Sequence, residues 1–357
     1  MKRFFCLYFY ICCLLVASCV HIPNGKYVVI DLDNHKYLQV EEIHLSDIAE
    51  SIHLIPLETN DSILISNISD ILFEDSKLCL HTFYGVFVFD LDGKFLNMIS
   101  SIGRGPREYI SVSGLFSDND AVWLLDGQGN KSMKFTYSGK VCEEFFLEKQ
   151  MFTSFHYLGD DTFIGFIPDN GQPETDIMLA FFNATGIIDS VLYRKPILEG
   201  DIIWSLGNEA SFINHGIQVK FKHLFNDTIY AIRDNKLTPE TVLYLGARKA
   251  NENARAVAVN SDPNTHNIFD GMDKVLLQGE NNRFIYLKVE NIDLFYDKEE
   301  HKKHKWEFFL PKDERGGDEY AKKFTPLRID KHGNLLGETV SDNLEDNPVI
   351  VIAKLKQ

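Results

Sequence analysis

The sequence has few cysteines, and most of them lie at its N-terminus. Of the six cysteines, only Cys79 and Cys142 lie beyond the first 19 residues. Two thiols so far apart in sequence cannot form a cysteine-based metal site by themselves. Each lies in an apolar, strand-like run, so we expect two buried thiols, with a disulfide in an oxidising compartment as the alternative.

The sequence is also short of positive charge. It has 36 Lys and Arg residues against 52 Asp and Glu residues, a formal net charge of −16. Because nucleic acid phosphates would be repelled by this charge, we exclude nucleic acid as a partner. A Gly-x-Ser-x-Gly elbow and a His-Glu-x-x-His motif do not occur either, so no motif supports nucleophilic or zinc-dependent hydrolysis, and we expect no cofactor.

Metal-binding patterns are similarly weak. Acidic turns at Asp90–Gly93 and Asp126–Asn130 offer oxygen ligands, but the twelfth position of an EF-hand counted from either is not Glu. His301 and His304 lie three residues apart, yet lysines flank them and a third ligand is missing at the expected spacing. We expect ordinary turns at all of these positions and no metal.

The N-terminus has the three parts of a secretory signal. Lys2 and Arg3 precede an apolar run that ends in the lipobox-like segment Val16–Cys19. The run is shorter than the roughly 20 apolar residues of a membrane span. We therefore expect residues 1–18 to be removed and Cys19 to carry a lipid that anchors the protein to a membrane.

A turn motif recurs at a nearly constant interval. Short apolar strands flank a turn whose central residues lie at positions 93, 139, 186 and 235, spaced 46, 47 and 49 residues apart. One four-stranded propeller blade needs roughly 40–50 residues. Two degenerate units, at Phe284–Asp297 and Leu327–Leu336, bring the expected count to six blades, and 247–270 is an expected inserted loop.

Helix signals are almost absent, and the best candidate is Leu45–Ile52, with Ser46 or Asp47 as its cap. The fold predicted is an all-β, six-bladed β-propeller of four-stranded blades, closed by an N-terminal strand because an open ring would expose a sheet edge. The predicted organisation is a signal peptide (1–18), a lipidated tether with the first strand (19–39) and the propeller (40–357).

Several segments carry a resemblance to a known family. They are Cys19, Leu45–Ile48, Ile55–Thr59, Phe89–Lys94, Gly103–Tyr109 and Phe225–Tyr230. With these segments the chain resembles the six-bladed β-propeller lipoproteins of unknown function found in diderm bacteria. The family often has glycine where this chain has Arg107. The resemblance implies the fold, export and anchoring, and it implies no reaction.

The most distinctive polar segment is Gly103–Tyr109, expected between the first and second blades. Arg104, Arg107, Glu108 and Tyr109 could bind an acidic or polyhydroxylated ligand, because arginine presents a planar fork of donors. The alternative is a structural loop in which an Arg–Glu pair braces neighbouring blades. Tryptophans at 123, 204 and 306 are expected to pack between blades, and Trp204 is the best candidate for an exposed sugar-stacking ring.

Three classes of function remain open. The first is an anchored module whose propeller binds a glycan, a peptide or an envelope protein. The second is a lyase or hydrolase whose residues converge in the central funnel, and the third is a structural accessory of an envelope complex. Close carboxylates or a histidine cluster in the funnel would favour catalysis. The segment after Cys19 is not acidic, so we expect an outer-membrane anchor facing the periplasm, with surface exposure as the alternative.

Overall fold

The computed structural model describes most of the chain beyond residue 26. The described residues are 27–61, 63–74, 76–99, 102–118, 121–147, 152–160, 162–168, 176–183, 185–195, 209–250, 271–311, 322–341, 343 and 345–357. Cys19, Trp204 and residues 251–270 of the expected loop lie outside them. The helical segments of these residues are all too short to span a membrane.

The described part of the chain begins with three strands separated by single helical turns. These elements are β1 (Val28–Asp31), a 3-10 turn (His35–Tyr37), β2 (Val40–His44), α1 (Leu45–Ile48) and β3 (Ala49–Pro56). The expected helix is real, but its cap is His44, whose N–H donates to Asp47 Oδ2 (3.0 Å). It also ends earlier than Ile52, because β3 is drawn into pairing with the last strand of the chain.

Four sheets then follow one another, each built from four consecutive antiparallel strands. They are β4 (Asp70–Glu74), β5 (Lys77–Thr82), β6 (Gly85–Asp90) and β7 (Phe95–Ile99); β8 (Gly114–Asp118), β9 (Ala121–Asp126), β10 (Lys131–Thr136) and β11 (Val141–Phe146); β12 (Ser154–Gly159), β13 (Thr162–Phe166), β14 (Ile177–Asn183) and β15 (Ile188–Arg194); and β16 (Ala210–His215), β17 (Gln218–His223), β18 (Thr228–Arg233) and β19 (Lys236–Tyr244). β1 joins the fourth sheet as a parallel neighbour of β19.

The remaining strands form one nine-stranded sheet, after a 3-10 turn at Gly246–Arg248. They are β20 (Val275–Glu280), β21 (Phe284–Val289), β22 (Ile292–Asp297), β23 (Lys302–Phe309), β24 (Lys323–Ile329), β25 (Asn334–Thr339) and β26 (Val349–Leu355), with β3 beyond β26. β2 lies parallel to β23, and β3 runs antiparallel to β26 from Ala49 to Pro56. The succession of antiparallel sheets is the predicted all-β propeller fold.

The recurring motif marks one kind of turn, the one between the third and fourth strands of each of the first four sheets. At the first, Asp90 Oδ1 accepts the N–H groups of Asp92 (3.0 Å) and Lys94 (2.9 Å), and Gly93 has a φ of +79°. Asn183 and Thr136 use side-chain oxygens in the same way. The regular spacing in the sequence is therefore visible because each of these turns needs a backbone geometry that few residue types can adopt.

The two degenerate units correspond to other hairpins. Phe284–Asp297 spans the hairpin of β21 and β22, and Leu327–Leu336 spans that of β24 and β25. The turn that is equivalent to the first four lies before β23, where His301 takes the positive φ (+54°) in place of glycine. The glycine signal is lost there because a different residue occupies the left-handed position.

The core lies between sheets that pack face to face. One cluster joins Ile55 of β3 and Ile350 of β26 to Leu78 and Phe89 of the first sheet, and all four side chains are at most 3% exposed. Trp123 is also buried, and Trp306 packs against another cluster, as expected for both tryptophans. Each such side chain contributes about 1.5–3 kcal/mol by leaving water.

The side-chain amide of Asn347 adds to the contacts between the early and late parts of the chain. Asn347, just before β26, is buried, and its Oδ1 accepts the N–H of Ile65 (2.7 Å). Its Nδ2 donates to the carbonyls of Glu58 (2.7 Å) and Ile63 (2.8 Å). The segment after β3 is thus fixed by a residue that is almost the whole chain length away.

Candidate functional site

A central cavity lies among the first strands of the sheets. It has a volume of about 530 Å³ and is lined by β4, β8, β12, β16, β20 and β24. These are the first strands of the successive sheets and of the two halves of the nine-stranded sheet. The cavity is therefore built from six segments spread over the whole chain, which explains why no local motif signals it.

One wall of the cavity carries paired charges. Arg328 Nη1 donates to Asp70 Oδ1 (3.0 Å) and Oδ2 (3.1 Å), which joins β24 to β4. Glu74 forms an ion pair with Lys331 and accepts a hydrogen bond from Ser117 Oγ (3.1 Å). Two cations face these two carboxylates, so the paired charges balance, and the third carboxylate of the lining, Asp330, accepts hydrogen bonds from its own turn.

The other wall is polar and neutral. His156, Asn214, Ser211 and Gln278 line it from β12, β16 and β20. Burial lowers the pKa of His156 to about 4, repulsion from Arg328 adds to that effect, and a hydrogen bond with Asn214 opposes it. The imidazole is therefore uncharged at neutral pH and offers one donor and one acceptor.

The carboxylates of the cavity do not form a close pair. Asp70 and Glu74 lie four residues apart on one strand, about 13 Å along it, and each has its own cation. Asp330 accepts hydrogen bonds from His332 and Asn334 and thereby holds its own turn. Among the described residues no three His, Cys, Asp or Glu side chains are grouped to hold a metal ion.

The segment Gly103–Tyr109 connects β7 to β8. Arg104 and Arg107 are exposed, whereas Tyr109 is 1% exposed and its hydroxyl donates to the Ile99 carbonyl (2.7 Å). Burial raises the pKa of Tyr109 to about 12. Glu108 Oε2 accepts the N–H of Gly105 (2.6 Å), so this carboxylate holds the loop backbone, where an Arg–Glu brace was the expectation.

A buried carboxylate that sequence reasoning assigned only to a turn fixes this connection. Asp126, at the end of β9, accepts hydrogen bonds from the N–H groups of Ile110 (2.8 Å), Ser111 (3.1 Å) and Gly129 (2.8 Å) and from Ser111 Oγ (3.2 Å). A carboxylate with these donors needs no metal. The connection leads into Val112 and Ser113, which line the cavity.

Arg107 has a left-handed backbone. Its φ is +65°, a region that favours glycine, and its N–H donates to Glu144 Oε2 (3.3 Å) on β11. The glycine common at this position in the resembling family thus has a backbone explanation. Here the arginine accepts the strained conformation and projects into solvent.

The two cysteines differ in environment. Both are free thiols; Cys79 is buried, as expected, and burial raises its pKa to about 12. Cys142 is exposed, which corrects the expectation of two buried thiols. It lies on β11, the outermost strand of its sheet, where alternate side chains face solvent.

The chain resembles solved structures, two of which are described next. A protein of Bacteroides fragilis NCTC 9343, named as a candidate exported protein, shares 16% sequence identity at a TM-score of 0.64, over 93% of this chain and 100% of that one. A member of the DUF4221 family from Bacteroides vulgatus ATCC 8482 shares 13% identity at a TM-score of 0.51, over 87% and 98%. At such identities the likeness concerns the fold.

A search of curated proteins finds no match. The model of one sequence family, in contrast, matches nearly the whole described chain, from residue 27 to residue 354. That family is described as a domain of unknown function, DUF4934. The chain belongs to the DUF4934 family.

Proposed function

We propose that this protein is an exported, lipid-anchored envelope propeller that binds a polar ligand of no net charge in its central cavity. The observation that carries the proposal is the balanced charged wall facing a neutral polar wall. The cavity volume of about 530 Å³ suits a small ligand, since binding pockets commonly measure about 300–1,000 Å³.

The charge balance selects the ligand. A charged group would have to displace a partner from the Asp70–Arg328 or Glu74–Lys331 pair, and breaking a partly buried ion pair costs about 3–5 kcal/mol when one charge is left unpaired. An apolar ligand would satisfy none of the donors and acceptors that His156 and Asn214 do not use on each other, at about 1–3 kcal/mol for each group left unpaired. A neutral ligand with many donors and acceptors avoids both penalties, and glycans and uncharged peptide segments fit this description.

In the same proposal the propeller has six blades, and β3 closes the ring. The nine-stranded sheet is narrow at one point, where β23 and β24 share only two residue pairs, Phe308↔Phe324 and Phe309↔Lys323. Division there leaves β20–β23 as a fifth blade. β24–β26 then form a sixth blade in which β3 is the fourth strand, and six first strands line the cavity.

The anchor is the lipidated Cys19 at the outer membrane, facing the periplasm. The signal and lipobox pattern support this location, and so does the name of the similar Bacteroides fragilis protein. Mass spectrometry of the N-terminal peptide tests it: we expect cleavage before Cys19 and a diacyl or triacyl mass on that residue. An unmodified Cys19 or an uncut signal would refute the anchor.

Binding in the cavity is tested with two neutral substitutions, Asn214→Leu and Gln278→Met. We expect each to weaken binding of neutral oligosaccharides or uncharged peptides about fivefold to tenfold in calorimetric titrations, because one hydrogen bond contributes about 1 kcal/mol. Arg104→Ala and Arg107→Ala are the matched controls on the Gly103–Tyr109 loop. If the cavity variants bind like the wild type and the loop variants bind weakly, the cavity site is refuted and the ligand binds at the Gly103–Tyr109 loop.

A further inference from the structure

An exposed aromatic pair stands beside one mouth of the cavity. Phe83 and Tyr84, in the turn between β5 and β6, are 85% and 56% exposed. Their rings are 5.5 Å apart and nearly perpendicular (85°). Among the described residues, this is the one place where consecutive aromatic side chains are both more than half exposed.

The position of this turn follows from the strand register. Asp70 at the start of β4 pairs with His81 on β5, and both residues line the cavity. Phe83 lies two residues beyond His81, about 7 Å along the strand direction. The pair therefore lies just outside the mouth where Arg328 holds Asp70, and Glu74 lies toward the opposite mouth.

The turn that presents the two rings is rigid. Thr82, which is buried, accepts the N–H of Tyr84 (3.1 Å) with Oγ1 and donates to the Gly85 carbonyl (3.3 Å). Gly85 has a φ of +133°, and a Cβ there would lie 2.9 Å from the Tyr109 hydroxyl. The buried Tyr109 thus packs against the turn, and the turn backbone that carries the two rings is held by these contacts.

We propose that Phe83 and Tyr84 form an aromatic platform for a sugar ring of a neutral oligosaccharide whose next units enter the cavity. This inference rests on the proposed cavity function and names its ligand class. A sugar has an apolar C–H face that packs on aromatic rings and hydroxyl groups that need donors and acceptors. The platform offers aromatic rings for the C–H face, and the cavity mouth, within the reach of one or two sugar units, offers donors and acceptors for the hydroxyl groups.

The mouth also argues against a lipid as the occupant. An acyl chain on the platform would bring apolar groups against the Asp70–Arg328 pair and His81 and would displace water from them without replacing the hydrogen bonds of that water. A polyhydroxylated chain satisfies them while it stacks on the rings. The oligosaccharide is therefore the occupant that both surfaces accept.

The test uses the full-length protein and ladders of neutral glucan, xylan and mannan oligosaccharides, from disaccharides to hexasaccharides, in calorimetric titrations. We expect the double variant Phe83→Ala/Tyr84→Ala to weaken binding of the longer members of the recognised ladder about threefold to tenfold and to leave the disaccharide unchanged. The exchange Phe83→Tyr/Tyr84→Phe, which keeps both rings, should restore long-chain binding. Tyr37→Ala, at a tyrosine that is 80% exposed elsewhere, is the matched control and should have no effect.

The outcomes separate the platform from the cavity. If Asn214→Leu weakens binding at every length while the double alanine variant binds like the wild type, the platform is refuted and the cavity stands. Equal weakening of short and long ligands by the double variant also refutes a separate platform. If the wild type binds no neutral oligosaccharide, this inference fails; if it binds uncharged peptides instead, the cavity function survives without the platform.

Discussion

Replacement of Arg107 by glycine should stabilise the protein. An L-residue in the left-handed region is strained by about 1–2 kcal/mol, and Arg107, with a φ of +65° and an exposed side chain, is in that region. Glycine removes the strain, but it gains about 0.5–1 kcal/mol of conformational freedom in the unfolded chain. The net expectation for Arg107→Gly is an increase of about 0.5–1 kcal/mol in the free energy of unfolding.

Two control variants separate backbone strain from charge. Arg107→Ala removes the guanidinium but keeps the Cβ, so its unfolding free energy should stay close to that of the wild type. Asn67→Gly changes an exposed residue that also has a positive φ (+50°). Because asparagine tolerates this region, the gain there should be smaller than at Arg107.

The assay is urea unfolding followed by far-ultraviolet circular dichroism, with the midpoint and slope compared among the four proteins. A higher midpoint with an unchanged slope for Arg107→Gly, larger than any rise for Asn67→Gly and absent from Arg107→Ala, supports the strain argument. If Arg107→Ala stabilises the protein as much as Arg107→Gly, the gain comes from loss of charge and the reasoning is refuted. A destabilised Arg107→Gly would show that the guanidinium contributes contacts that outweigh the strain.

Three further outcomes follow from the geometry. The pKa of His156 falls from 6.5 to about 4 on folding, so on acidification the unfolded chain binds a proton before the folded chain does. Between about pH 7 and about pH 4.5 the wild type should therefore lose about 2 kcal/mol more unfolding free energy than His156→Gln. Equal losses in the two proteins would contradict this. Gly93→Ala should destabilise by about 2–4 kcal/mol in urea unfolding, because its Cβ would lie 1.9 Å from the Pro56 carbonyl oxygen at a φ of +79°; a neutral result would refute that geometry. A maleimide should label Cys142 in the native protein and Cys79 only after denaturation, as read by peptide mass mapping; native labelling of Cys79 would contradict its burial.

The turns were predictable because their chemistry is local. A left-handed glycine such as Gly93 and a capping oxygen such as that of Asp90 lie within four residues of each other, so the repeat is visible along the chain. The same reasoning misplaced the later units, where His301 replaces the glycine. A repeated turn can therefore be recognised in a sequence only where each copy keeps the residue type that its backbone conformation requires.

The cavity was beyond the reach of local patterns. Asp70 and Arg328 form one ion pair from positions 258 residues apart, and no binding or catalytic motif surrounds either residue. The Gly103–Tyr109 segment, in contrast, was conspicuous in the sequence for its glycines and its charges. Much of that signal reports the backbone of a connection held by Asp126 and Glu108, since such a loop needs special residues whether or not it binds a ligand.

The pairing of β3 with β26 has a consequence for biogenesis. Ala49 reaches its partner Leu355, and Asn347 reaches Ile65, only after nearly the whole chain has been synthesised. Until then the edge of β3 that pairs with β26 stays without hydrogen-bond partners, and contacts between residues so far apart in sequence form slowly. A chain that stops before Val349 would lack β26 and with it the partner of β3, so the edge of β3 would stay unpaired and open to association with another strand.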